Sequence, residues 1–104
     1  MDRSEERAAR NEITFRDANS KIDEKRRELG IEARTPYICE CEEETCTRLI
    51  SLTFDEYRNA RATPRRFLVV PGHQHRDTVV KEHEKYTIVE KSGVGGRMAE
   101  EAEG

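Results

Sequence analysis

Tyr37-Ile38-Cys39-Glu40-Cys41-Glu42-Glu43-Glu44-Thr45-Cys46 gathers all three cysteines of the chain within eight positions. In an extended strand, residues two apart project from the same face, so the sulfurs of Cys39 and Cys41 can address one ion. Cys46 follows after four residues, enough for a turn that returns its sulfur to the pair. Three thiolates leave a tetrahedral zinc one ligand short. The first imidazoles downstream are His73 and His75, behind the turn signal Pro71-Gly72. Because that turn fixes the chain direction directly before His73, the predicted Zn2+ ligands are Cys39, Cys41, Cys46 and His73. His75 is the alternative fourth ligand, and His83 is read as a surface residue. An iron-sulfur cluster suits the set less well, because such cages use four cysteines.

Working outward, residues 37–41 form a first strand that carries two ligands, 42–45 the knuckle, and 47–52 a second strand antiparallel to the first. Thr53 followed by Glu56 is a capping-box signature that opens a helix over 54–62, ended by Pro64. Arg66-Phe67-Leu68-Val69-Val70 is a further strand, and residues 86–90 close the sheet. Between them, Asp77 is expected to cap a short helical turn over 78–84. Upstream, residues 4–29 contain no proline or glycine and interleave acids and bases at helical spacing. They read as one long helix that Gly30 ends.

The apolar row of that helix is thin: Ala8, Phe15, Ile22 and Leu29, with Ala18 beside them. Asn11 and Lys25 spoil a second seam row, so a helix laid across the domain is expected rather than a coiled coil. The fold class is therefore α+β, a long N-terminal helix plus a small antiparallel sheet with a zinc-knuckle hairpin and one or two short helices. Three regions follow: a charged helix over 1–30 that is separable from the rest, a zinc-stabilised domain over 31–91, and a glycine-rich, acidic tail over 92–104 predicted to be disordered.

Composition narrows the function. With 34% hydrophobic and 39% charged residues among 104, apolar burial alone supports only a marginal fold, which a bound metal would reinforce. A net charge of -3 provides no extended basic footprint for nucleic acid, and Arg61, Arg65 and Arg66 make only a small basic patch. The first residues lack an apolar run, and the odd cysteine count does not fit a disulfide framework, so the expected compartment is the cytoplasm. Glu40, Glu42, Glu43 and Glu44 surround the cysteines with negative charge, which favours a cation over a reactive free thiolate.

Several segments resemble a known family. They are Tyr37-Ile38-Cys39-Glu40-Cys41 with Cys46, Leu52-Thr53-Phe54-Asp55-Glu56-Tyr57-Arg58 with Arg61, Phe67-Leu68-Val69-Val70, Pro71-Gly72-His73 and Val89-Glu90-Lys91. Together they are similar to a family of small uncharacterised proteins of high-GC Gram-positive (actinobacterial) bacteria. That family shares an aromatic-x-Cys-Glu-Cys-x4-Cys element and a Pro-Gly-His strand exit. The resemblance spans residues 12–93 and implies Cys39, Cys41, Cys46 and His73 as shared positions, but no activity. His75 departs from the pattern, since an acidic residue is commoner just after the Gly-His.

The leading expectation is a non-enzymatic, zinc-binding protein-interaction or regulatory module, monomeric or weakly dimeric, that engages another protein through its N-terminal helix. A thiol and metal redox sensor using the same cysteines is the alternative. A metallohydrolase ranks lower, because it needs an open metal position.

Overall fold

The computed structural model describes residues 3–75 and 77–103. Its elements are α1 (Arg3–Leu29), β1 (Thr35–Ile38), β2 (Leu49–Leu52), α2 (Phe54–Ala60), β3 (Arg66–Val69), β4 (Thr78–Glu82), β5 (Thr87–Glu90) and α3 (Gly93–Glu103). This is the α+β architecture expected, with antiparallel pairing throughout: β1 with β2 as a hairpin, and a second sheet in the order β3-β5-β4. Thr53 caps α2 as predicted, its hydroxyl accepting from the Glu56 N–H while the Glu56 carboxylate accepts from the Thr53 N–H. Tyr37, Ile50, Leu52, Tyr57, Phe67, Leu68, Val69, Ile88 and Val89 form the apolar core, with the Tyr37 and Tyr57 rings stacked 4.2 Å apart.

Two segments differ from expectation. Residues 78–82 pair as a strand with β5 instead of forming a helical turn, because the β-branched run Thr78-Val79-Val80 meets an open strand edge. Asp77 does not cap; its carboxylate accepts from Lys91 Nζ at 2.9 Å. The tail expected to be disordered carries α3. Its overall composition hides one usable face, where Ala99 is fully buried and its carbonyl accepts from Arg16 of α1. Gly96 is part of that close approach, since a Cβ there would sit 2.2 Å from Arg65 Nη1.

The largest departure concerns the face that α1 buries. Of the row read as its seam, Ala8 is buried and Ile22 packs partly buried against the core, but Leu29 is 62% exposed, and the residues at or below 4% exposure include Glu12, Arg16, Asn19, Asp23 and Arg26. These recur at spacings of three and four, so they share one face. A polar face can be buried only where each group meets a partner. Arg26 donates to the carbonyls of Ile31 and Ala33 and to the Tyr37 hydroxyl, which in turn donates to Asp23. The Asn19 amide accepts from the Ile38 N–H and donates to its carbonyl, standing in for a neighbouring strand.

Glu12 lies 2.9 Å from Lys91 Nζ, the same ammonium that reaches Asp77. Burial pushes its carboxyl up to about 8 against the pull of Lys91. A carboxyl whose folded value lies above its unfolded one binds its proton more tightly when folded, so it favours folding at low pH. That contribution is lost as the pH rises through the interval from the ordinary carboxylate range to about 8. Stability is therefore expected to fall between about pH 5 and 8, by at most about 1.4 kcal/mol per unit. Glu12→Gln should flatten this slope, as read from urea midpoints at the two pH values.

Candidate metal centre

The first strand, expected over 37–41, ends at Ile38, so Cys39 and Cys41 stand on residues 39–41, which continue beyond β1 and bridge the two sheets. The Cys39 N–H donates to the Arg48 carbonyl, and the Glu40 N–H donates to the Leu68 carbonyl at 2.7 Å. Alternation then sends Cys39 and Cys41 to one side and Glu40 to the other. The knuckle is closed by a turn in which the Cys46 N–H donates to the Glu43 carbonyl. Across from it, Val70-Pro71-Gly72-His73 forms a type II turn: proline occupies the second position, Gly72 the third at a φ of +93°, and the His73 N–H donates to the Val70 carbonyl. A side chain at residue 72 would be strained by that φ, so glycine there is a condition for aiming His73.

The sulfurs of Cys39, Cys41 and Cys46 and a ring nitrogen of His73 all lie within 4.8 Å of one another. His73 Nδ1 is 3.7 Å from Cys39 Sγ and 3.6 Å from Cys46 Sγ. An ion about 2.3 Å from sulfur and about 2.0–2.1 Å from nitrogen sets tetrahedral ligand separations of roughly 3.5–3.8 Å. Both nitrogen-to-sulfur distances fall in that range, and the widest separation in the group, up to 4.8 Å, would close by about 1 Å around an ion. The three cysteines are buried and His73 is half-buried. Among the described residues this is the group of histidine, cysteine and carboxylate side chains able to hold a metal ion.

His75 is drawn elsewhere. Its backbone is in the left-handed region, φ 51°, and its ring nitrogens lie 3.4 Å from a Glu42 oxygen and 3.8 Å from a Glu43 oxygen. His83 stacks on Tyr86. His73→Ala is accordingly expected to cost most of the bound metal, whereas His75→Ala keeps it; metal-to-protein ratios after gel filtration would show the reverse if the loop turned the other way.

Protonation of the site follows from its burial. Desolvation is the largest influence on Cys39 and pushes its thiol well above the usual range, with the Cys41 and Cys46 thiols adding to it against a Val70 N–H that donates to its sulfur at 3.3 Å. Cys41 is pushed up to about 11, again chiefly by burial, against a hydrogen bond from the Glu43 backbone. Without an ion both thiols are protonated at neutral pH and are poor nucleophiles. An ion must displace these protons to bind.

Sequence reasoning missed the support beneath the candidate ligands. Glu40 is fully buried between them, and instead of adding free charge it accepts from Arg61, from Asn19 at 2.7 Å and from the Leu68 N–H at 2.9 Å. Arg61 is therefore mostly covered and paired with Glu40, and Arg65 pairs with Glu100, which neutralises two of the three members of the small basic patch. Asn11 adds a hydrogen bond to the Cys41 carbonyl at 3.3 Å. The one available signal was an acid placed between two ligands on the opposite strand face, with no statement in the sequence of what it meets. Compared with family models, curated proteins and solved structures, the chain matches none.

Proposed function

We infer that the cluster is a structural zinc centre, and that the protein is a non-enzymatic interaction or regulatory module built around it. The observation that carries this reading is the near-tetrahedral spacing of His73 Nδ1 to two sulfurs, in a group whose other members are buried cysteines. Three thiolates and one imidazole form a closed donor set of the structural zinc type, with no position for the water that metal-assisted hydrolysis must activate. Charge supports the same reading, because three thiolates outweigh a divalent ion and leave the centre unable to polarise a carbonyl or phosphoryl oxygen strongly. Glu40, the acid nearest in sequence, is directed away and already neutralised by Arg61.

Cobalt substitution tests the reading directly. Four-coordinate Co(II) with three thiolates absorbs intensely in the visible, and the spectrum should not change on adding azide or cyanide at low concentration. Shifts with these anions would reveal an open position and favour a hydrolytic metal instead. Failure of the chain to take up zinc or cobalt at all would remove the metal reading. In this reading the partner is another protein, engaged through the exposed, charged side of α1, and the compartment is the reducing cytoplasm. Among the described residues no helix is long and apolar enough to cross a membrane.

A further inference from the structure

α1 is held to the domain by an unusual kind of interface. Its fully buried face is chiefly polar, whereas Ile13 and Ile22 pack only partly buried against the core, Phe15 is partly buried and Leu29 is exposed. Many of its hydrogen bonds end on a single stretch, 31–41. Arg26 reaches the carbonyls of Ile31 and Ala33, Asn19 the backbone of Ile38 and the Glu40 carboxylate, and Asn11 the Cys41 carbonyl. The last three residues of that stretch are a ligand, the acid beneath the ligands, and a second ligand.

Apolar contacts tolerate small shifts of their partners, whereas hydrogen bonds weaken steeply with distance and angle, and a buried polar group that loses its partner opposes docking. The middle of the helix, where Asn19 and Asn11 meet their partners, thus depends on where 38–41 is held, while Arg16 on Pro64 and Glu12 on Lys91 are anchors outside that segment. On the strength of the zinc reading above, we propose that metal occupancy gates the docking of α1. Ion bound, 38–41 is fixed and presents a matched row of partners. Ion removed, that row loosens, the polar face of α1 is better solvated than buried, and the helix leaves the domain. α3 loses its Arg16 contact with α1 but keeps the Arg65–Glu100 pair to the domain. The apolar core around β3 and β5 does not depend on α1 for its own pairing. The device converts the presence of an ion into the presence or absence of a free, charged helix.

Hydrogen-exchange mass spectrometry on the full chain, zinc-loaded and chelated, reads this out. In the chelated protein, exchange should quicken over 12–29 and 37–47 while 67–69 and 87–89 stay protected. Thermodynamic reciprocity adds a second measurement, since an ion that tightens helix docking must itself be tightened by the docked helix. Asn19→Ala, which removes the bonds to Ile38 and Glu40, should weaken zinc affinity by roughly tenfold and quicken exchange in α1. Thr53→Ala, which weakens the α2 cap, should do neither. Zinc binding with unchanged exchange over 12–29 would overturn the gate and leave the metal site standing. So would loss of protection in β3 and β5 together with α1, which is global unfolding. Absence of zinc binding in the unmodified chain would overturn the underlying site reading, and the gate with it.

Discussion

Cys41→Ser is expected to abolish metal retention and to lower the melting temperature by at least 10 °C relative to the zinc-loaded protein. The substitution removes one of three buried thiolates, and a hydroxyl is a poor replacement ligand for zinc. The ion's contribution is folding free energy, because the unfolded chain offers no preformed site. Total stability of a domain this size is only about 5–15 kcal/mol, so losing even ~3 kcal/mol corresponds to roughly 12–24 °C. Thermal melts followed by circular dichroism, with and without chelator, provide the check. The chelated wild type should melt close to the variant, and equal melting temperatures for loaded and chelated wild type would show that no ion stabilises the fold.

Glu40→Ala should come next in size. The carboxylate is fully buried and is shared by Arg61, Asn19 and the Leu68 N–H, so its removal strands a guanidinium that is itself mostly covered. Breaking one side of such a pair costs about 3–5 kcal/mol, with the lower end apt here because Arg61 retains the Arg66 carbonyl. Urea denaturation of the zinc-loaded variant would measure it. Glu44→Ala, an exposed acid of the same knuckle, is the control and should stay within about 0.5 kcal/mol of wild type. A Glu40 variant as stable as the control would mean that the buried network contributes nothing net.

These two residues mark the limits of what the sequence discloses. Cys39, Cys41 and Cys46 were legible because they are close in the chain, and His73 because Pro71-Gly72 dictates a local turn. The helices and strands with strong local chemistry were legible for the same reason, notably α1 with its unbroken helix formers and the capped α2. Residues 78–82 and 93–103 were not, because each takes its structure from a distant partner: β5 for the strand, α1 for the terminal helix. The buried face of α1 was read only in part, since Ala8 is buried and Ile22 does pack on the core, and the rest was missed on a different ground. Hydropathy periodicity assigns the core side to Phe15, Ile22 and Leu29, but Arg16, Asn19, Asp23 and Arg26 find carbonyls, a phenol and a carboxylate on 31–41 and Pro64. Complementarity of that kind lies in no single stretch.

The uneven placement of the four candidate ligands along the chain bears on how a metal centre there would assemble in time. Three sulfurs lie in one short segment, whereas His73 is 27 residues from Cys46. Closing a loop of that length costs roughly 3 kcal/mol in chain entropy, while bringing the three sulfurs together involves only a local turn. The nascent chain can therefore capture an ion with the cysteine segment before residue 73 is in position, and the imidazole closes the shell only as β3 forms and the type II turn swings it in. Stopped-flow mixing of unfolded protein with Co(II) should then resolve two phases: a concentration-dependent one that builds the thiolate charge-transfer band, and a slower, concentration-independent one that brings the tetrahedral visible spectrum to its final form.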